Sequence, residues 1–169
     1  IVLQTQRLYL REFTTSDTQL LIELNTPEVL KYVHEPPTTT ENALSVLENI
    51  ILPQYKLYNH GRWAAHLKEN SAFIGWCGLK YVKERDEIDL GYRFFKQYWG
   101  NGYATEAVKA VLDYGVSTLK LKAIMAQVHL ENTASQNVLL KCGMVLRSEG
   151  IVDDCPVKIY DLPIDEQKK

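Results

Sequence analysis

Two glycines stand where an apolar, strand-like segment gives way to a helical pattern. Residues 88–95 form the apolar segment, the sequence QYWGNG follows at 97–102, and a helix-period run opens at Ala104. Glycines at such a junction let several backbone N–H groups converge on one point, where the start of the helix adds a partial positive charge. This arrangement binds phosphate or diphosphate groups. The glycines Gly100 and Gly102 therefore predict a ligand that carries a diphosphate.

Length and composition limit the class of protein. The 169 residues fit one domain, spanning 1–169, and the apolar and charged fractions of 46% and 24% are ordinary for a globular chain. A net charge of −2 gives no bulk attraction to nucleic acid or to an anionic membrane. Three cysteines without metal-ligand spacing fit a reducing compartment. We expect a cytoplasmic protein with no nucleic-acid partner, no membrane association and no metal.

Apolar periodicity predicts the order β-α-α-β-β-β-α-β-α-β-β. Strands are expected at 1–13, 61–68, 73–82, 88–95, 123–130, 144–152 and 157–162. Helices are expected to begin near 15–17, at 40, at 104 and at 132, with Pro36-Pro37 breaking the chain between the first two. The three strands between 61 and 95 are close enough in sequence to form an antiparallel meander.

Three segments in this order carry a resemblance to a known family. The sequence TQRLYLR at 5–11 is similar to an opening strand, Gln97-x-x-Gly100-x-Gly102 to a pyrophosphate motif, and NTAS at 132–135 with KCGM at 141–144 to a second cofactor motif. Together they resemble the GNAT superfamily of acetyl-CoA-dependent N-acetyltransferases, and most closely its RimJ/RimL-like branch. Met144 departs from the pattern, since this branch usually has Phe there.

The resemblance implies an α/β fold, in which a mixed, mostly antiparallel central sheet is flanked by helices. It also implies acetyl-CoA as the co-substrate. The cofactor-binding residues that it implies are Phe94, Phe95, Gln97, Gly100, Asn101, Gly102, Tyr103, Ala104, Thr105, Asn132, Asn137 and Lys141.

The resemblance also suggests Ser135, Asp89 and Asn132 as catalytic residues, and it leaves their roles open. Leu139 stands where many GNAT enzymes carry the tyrosine that protonates the leaving thiolate. The RimJ/RimL-like pattern instead offers a hydroxyl three residues after Asn132, which is Ser135; Tyr160 or water are the other candidates for the acid. Asp89 lies where this branch usually carries a glutamate, so it is the expected base. Glu12 and Glu87 are weaker candidates for that role.

The implied reaction is attack of a neutral amine on a thioester, through a tetrahedral oxyanion. Backbone N–H groups freed where strand 88–95 parts from its neighbour would bind that oxyanion. At pH 7 an α-amino group, with a pKa of about 8, is roughly 10% neutral, whereas a lysine is below about 0.1%. We therefore expect acetyl transfer to a primary amine, either a protein N-terminus or a small molecule.

Two other classes of protein share part of this pattern. A domain of this fold that has lost transfer chemistry and acts as an acyl-CoA sensor or adaptor is the main alternative, because Leu139 replaces the usual acid. A Rossmann-type dinucleotide-binding domain fits poorly, since Thr105 occupies the position of its third glycine and hairpin-linked strands precede the motif.

Overall fold

The computed structural model describes residues 1–33 and 38–164, so the predicted break at Pro36-Pro37 lies outside the described residues. In these ranges no helix is long and apolar enough to cross a membrane. The elements in chain order are β1 (Leu3–Gln4), β2 (Leu8–Glu12), α1 (Thr18–Leu24), α2 (Thr40–Val46), α3 (Leu52–Tyr58), β3 (Arg62–Leu67), β4 (Phe73–Val82), β5 (Glu87–Phe94), α4 (Tyr103–Ser117), β6 (Met125–His129), α5 (Thr133–Lys141), β7 (Val145–Val152) and β8 (Cys155–Asp161).

The eight strands of the described chain form one sheet in the order β1-β2-β3-β4-β5-β6-β8-β7. Neighbouring strands run antiparallel except β5 and β6, which run parallel. The mixed, mostly antiparallel sheet and the β3-β4-β5 meander are thereby confirmed. Among the described residues, β5 and β6 pair at one position only, where Asp89 lies opposite Met125. The two strands diverge beyond this position.

Helices cover both faces of the sheet. Side chains alternate between the two faces along each strand, so both faces carry apolar residues that pack against helices. Trp63 belongs to the apolar cluster that includes α4 and α5, whereas its neighbour Ala64 belongs to the cluster that includes α1 and α2. The helix residues buried in the first cluster include Ala107, Val108, Val111, Leu112 and Leu139. Those buried in the second include Leu21, Leu24, Ala43, Leu47 and Ile51. The layers hold β5 and the following loop between two packed cores.

The prediction of a single strand over 1–13 was wrong, because this segment folds back as the hairpin of β1 and β2. Leu8 N–H donates to the Thr5 hydroxyl oxygen at 3.0 Å, and Thr5 N–H donates to the Leu8 carbonyl at 2.8 Å. A threonine side chain that bonds nearby backbone in this way stabilises a turn. The turn at residues 5–7 is thus fixed by local bonds that strand periodicity does not reveal.

The helix predicted to open at Thr40 continues to Tyr58. Thr39 is its N-cap, since its hydroxyl oxygen accepts from Asn42 N–H at 3.1 Å. A π-helical turn at Leu47–Ile51 lies just before Pro53 and joins α2 to α3. Proline has no N–H to donate to the preceding turn, and a wider turn accommodates that loss.

At Gly78 the backbones of β3 and β4 lie too close together to admit a side chain. A Cβ there would collide with the Gly61 carbonyl oxygen and lie 2.6 Å from Arg62 Cα. We expect Gly78→Ala to lower the free energy of unfolding by at least about 2 kcal/mol. Each kcal/mol lowers Tm by roughly 2–4 °C in a chain of this size. Gly150→Ala is the control in a thermal melt, because its Cβ would meet Ile159 at an ordinary 3.9 Å. Equal Tm values for the two variants would contradict this reading.

Candidate functional site

The gap between β5 and β6 exposes one edge of β5 near its end. Phe95 N–H donates to the Ile74 carbonyl on β4 at 3.0 Å. Backbone groups alternate between the two edges of a strand, so the N–H and C=O of Phe94 point to the other edge, toward the gap. The Trp99 indole N–H donates to that Phe94 carbonyl at 2.8 Å, in agreement with this direction. Phe94 N–H is therefore a donor available to a ligand in the gap.

The glycine loop, residues 95–102, leads from β5 into α4 through two left-handed residues. Gly100 and Gly102 have φ of +80° and +79°, which residues with a Cβ rarely adopt. A Cβ on Gly100 would meet nothing within 4 Å, whereas one on Gly102 would lie 3.4 Å from the Arg7 guanidinium. The open side of the loop is thus at Gly100. The predicted diphosphate cradle has room at this position.

Helix α4 presents free backbone donors to the same place. Glu106 N–H donates to the Gly102 carbonyl at 3.0 Å, which is the first bond of the helix. The N–H groups of Tyr103, Ala104 and Thr105 precede that bond and have no partner within the helix. These groups, together with the positive end of the helix dipole, favour an anion.

A cavity of about 340 Å³ lies between the glycine loop, the start of α4 and α5. Asn137 and Lys141, both exposed residues of α5, line it opposite the loop. Among the described residues that line this cavity, Lys141 alone carries a charge, which is positive. Of the residues predicted to bind the cofactor, the cavity brings together Phe94, Gly100, Gly102, Tyr103, Ala104, Thr105, Asn137 and Lys141.

Helix α5 begins at the gap and orients Ser135 toward β5. Asn132 caps the helix, since its side-chain oxygen accepts from Ser135 N–H at 3.2 Å. The Gln136 amide donates to the carbonyls of His129 and Leu130, at 3.2 and 2.9 Å, and so fixes the turn that joins β6 to α5. Cap and turn together hold Ser135 in place.

A second cavity, of about 580 Å³, contains Asn132 and Ser135 together with the end of β5. Residues 28, 29 and 31–33 form its other wall. The two cavities share the lining residues Phe94, Trp99, Gly100, Ala104, Ala134 and Val138. A ligand bound at the glycine loop can therefore extend along β5 to Ser135.

Ser135 has a half-buried hydroxyl partner on β5. Tyr92 Oη lies 2.8 Å from Ser135 Oγ, although the residues are 43 positions apart. Burial raises the pKa of Tyr92 to about 12, so the phenol keeps its proton near neutral pH. When Tyr92 donates to Ser135 Oγ, the serine proton is free to point at a third atom.

Asp89 lies on β5 but lines neither cavity. Its carboxylate is 3.8 Å from the Arg85 guanidinium. Because side chains alternate between the faces of a strand and the two positions are three apart, Asp89 points to the face opposite Tyr92. Burial raises the pKa of Asp89 to about 6 against the lowering effect of Arg85, Lys80 and Arg62. A carboxyl with this pKa exchanges protons close to neutral pH.

Three other residues predicted to bind the cofactor lie beside the cavities. Phe95 packs against Phe73 and Tyr98, while Gln97 is exposed. Asn101 donates to the carbonyls of Tyr98 and Trp99, at 3.1 and 3.2 Å, and so holds the glycine loop together.

The remaining candidates for acid and base line neither cavity. Tyr160 is 2% exposed in the core, and Leu139 is buried there as well. Glu87 contacts Arg85 and Arg147, each at 3.3 Å, and Glu12 is exposed on β2, which two strands separate from β5.

Sequence reasoning missed Tyr92 and the wall formed by residues 28, 29 and 31–33. The even spacing of Leu90, Tyr92 and Phe94 could have placed Tyr92 on the face that meets α4 and α5. The residues of the wall carry no comparable periodic signal.

Comparison with known proteins gives consistent matches. The family model described as "Acetyltransferase (GNAT) domain" matches residues 7–145. A relative from Bacillus licheniformis, "Uncharacterized N-acetyltransferase p20", is 32% identical over 154 residues, which cover 90% of this chain and 85% of that protein.

Two solved structures share the fold at low identity. The RimL ribosomal L7/L12 alpha-N-protein acetyltransferase in complex with coenzyme A has a TM-score of 0.82 at 16% identity, covering 98% of both chains. The spermidine N-acetyltransferase from Vibrio cholerae in complex with CoA and spermine has a TM-score of 0.75 at 21% identity, covering 92% of this chain and 94% of that one.

Gly100 offers a direct test of the diphosphate site. Asp and Asn both tolerate a left-handed backbone and have the same size, so Gly100→Asp and Gly100→Asn differ by one negative charge. We expect the Asp variant to bind coenzyme A at least about tenfold more weakly than the Asn variant, because its carboxylate would repel a diphosphate in the cavity. Isothermal titration gives both Kd values. Equal affinities would move the diphosphate away from this loop.

Proposed function

Because the chain belongs to the GNAT acetyltransferase family, we propose that it transfers the acetyl group of acetyl-CoA to a primary amine by direct attack on the thioester. The observation that carries this proposal is the continuous space between the glycine loop and Ser135 along the free edge of β5. Acetyl-CoA supplies the activated acetyl group. The chain supplies binding, orientation and proton transfer.

The glycine loop and the first turn of α4 hold the diphosphate in this proposal. Gly100 leaves the space for it, and the N–H groups of residues 103–105 face it. Lys141 and Asn137 contact the same ligand from α5. The free backbone edge of β5, which faces the gap, would bond the amides in the rest of the cofactor.

Phe94 N–H is the proposed donor to the oxyanion. A backbone donor that is already oriented stabilises charge developing on the carbonyl oxygen without reorganising when the reaction occurs. The Trp99 indole holds the Phe94 carbonyl at 2.8 Å and so restrains the orientation of this peptide edge.

Ser135 is the proposed donor to the leaving thiolate, with Tyr92 behind it as a positioning residue. Tyr92 donates to Ser135 Oγ, which directs the serine proton away from Tyr92 and toward the cavity. Asn132 acts indirectly, because its cap fixes the first turn of α5. When Ser135 gives its proton to the sulfur, Tyr92 replaces that proton, and Tyr92 regains its own from water in the larger cavity that it lines. This route needs no tyrosine at position 139.

Asp89 is the proposed base. It lines neither cavity and so would not contact the acceptor amine directly, and we propose that water carries the proton between them. With a pKa of about 6 it is ionised at pH 7 and can still accept a proton from an acceptor amine.

A protein N-terminal α-amino group is the acceptor that we favour. Such an amine is already partly neutral at pH 7, so it suits a base that acts through water. RimL, a structural neighbour, carries the name of an alpha-N-protein acetyltransferase. The spermidine enzyme has the same fold, and small amines are therefore the second class of acceptor. The RimJ/RimL-like branch and a cytoplasmic location belong to this proposal.

Acetyl-CoA consumption across matched acceptors tests the proposed acceptor. A short peptide with a free N-terminus, the same peptide with a blocked N-terminus and one lysine, and spermidine separate the three classes of amine. We expect the free N-terminus to give the highest kcat/KM. A preference for the lysine peptide or for spermidine would overturn the α-amino assignment while leaving the acetyltransferase intact.

Hydroxyl deletions test the proton donor. We expect Ser135→Ala to lower kcat by about 10²-fold, and Tyr92→Phe to lower it less, since serine keeps its own proton. The KM for acetyl-CoA should change little in both variants. Tyr160→Phe is the control, because Tyr160 lies in the core; a loss of kcat in that variant alone would transfer the role to Tyr160.

The pH–rate profile of Asp89→Asn tests the base. Wild-type kcat/KM should gain from ionisation of Asp89 above about pH 6, a gain that the amide cannot provide. The ratio of wild type to variant should therefore be largest near neutral pH. It should shrink toward pH 9, where more of the acceptor amine is already neutral. Parallel profiles would show that Asp89 is not the base.

A further inference from the structure

The turn at residues 5–7 contacts the glycine loop without lining its cavity. The Arg7 guanidinium donates to the Asn101 carbonyl at 3.0 Å and lies 4.3 Å from the centre of the Tyr103 ring. Its Nη2 would be 3.4 Å from a Cβ on Gly102. One side chain thus contacts Asn101 and Tyr103 and lies beside Gly102 between them.

The same arginine pairs with an acid in the first turn of α4. Arg7 Nε donates to Glu106 Oε1 at 2.7 Å, and Arg7 N–H donates to Oε2 at 2.9 Å. The Thr5 hydroxyl donates to Oε2 at 2.5 Å. Burial raises the pKa of Glu106, but these hydrogen bonds and the charge of Arg7 outweigh it and lower the pKa, so the group is a carboxylate.

This carboxylate lies at the end of α4 that the diphosphate must approach. A negative charge there lowers the free energy of the isolated helix, yet it also repels a second anion at the same helix end. The guanidinium of Arg7 compensates the charge of Glu106 and restrains residues 101–103 at the same time. Both effects favour binding of a diphosphate in the cavity beside the loop.

We infer that Arg7 is a positioning residue for the cofactor: it orients the glycine loop and neutralises Glu106, so that the loop N–H groups meet the diphosphate of acetyl-CoA. This inference rests on the proposed function, since it requires the diphosphate at the loop. Arg7 does not contact the reacting atoms, so its effect should appear in cofactor affinity and little in kcat.

Arg147 provides a matched control in the same chain. It forms a two-pronged pair with Asp161, at 2.8 and 2.6 Å, and its side chain is 38% exposed, against 42% for Arg7. It lies on β7 and touches neither cavity. If Arg7 merely stabilised the fold, Arg7→Ala and Arg147→Ala would have similar consequences.

Steady-state kinetics and titration with coenzyme A test the two variants. We expect Arg7→Ala to raise the KM for acetyl-CoA and the Kd for coenzyme A by about tenfold, with kcat within about twofold. Arg147→Ala should leave all three unchanged. Unchanged affinity in Arg7→Ala, or an equal loss in both variants, would overturn the inference.

A second substitution separates charge compensation from loop support. Glu106→Gln keeps an oxygen that accepts from Thr5 and from Arg7 N–H, and it removes the charge. In the Arg7→Ala background it should recover part of the lost affinity, because the uncompensated carboxylate is gone. No recovery would remove the electrostatic half of the inference.

The Gly100 variants distinguish failure of this inference from failure of the proposed function. If Gly100→Asp weakens binding relative to Gly100→Asn and Arg7→Ala does not, the loop binds the diphosphate without Arg7. If Gly100→Asp has no effect either, the diphosphate site itself is misplaced.

Discussion

The divergence of β5 and β6 beyond Asp89 and Met125 is the constraint on which the rest of the site depends. A sheet closed to the end of β5 would bond the Phe94 N–H internally and leave no space between the strands. Instead, β6 pairs with β8 along its whole length, from Met125 to His129, and leaves the end of β5 unpaired on that edge. The opening is therefore stabilised by full pairing on its far side, and α5 can begin inside it.

The opening must be held rigid from both sides if it is to orient a thioester. On one side, the packing of α4 and α5 against the sheet fixes the glycine loop and the first turn of α5, which carries Ser135, in one core. On the other, Phe95 joins the core of α1 and α2, so the chain leaves β5 anchored to the opposite face. The site thus lies where the two cores meet.

The sequence was sufficient to predict features that depend on residues close together in the chain. The left-handed glycines and the Asn132 cap depend on a few adjacent residues, so their sequence predicted both the loop and the start of α5. The Tyr92–Ser135 contact spans 43 positions and the Arg7–Glu106 contact 99, and no periodicity links such pairs. The burial that raises the pKa of Asp89 depends on neighbouring strands and was likewise invisible in the sequence.

Trp99 gives the protein an optical reporter of its own site. Of the three tryptophans in the sequence, Trp63 and Trp76 are 1% and 7% exposed, whereas Trp99 is 49% exposed and lines both cavities. A molecule that fills these cavities must displace water from the Trp99 indole, while the two buried rings keep their surroundings. Changes in intrinsic fluorescence on ligand binding therefore arise mainly at the junction of the two cavities, and no label is needed to follow occupancy there.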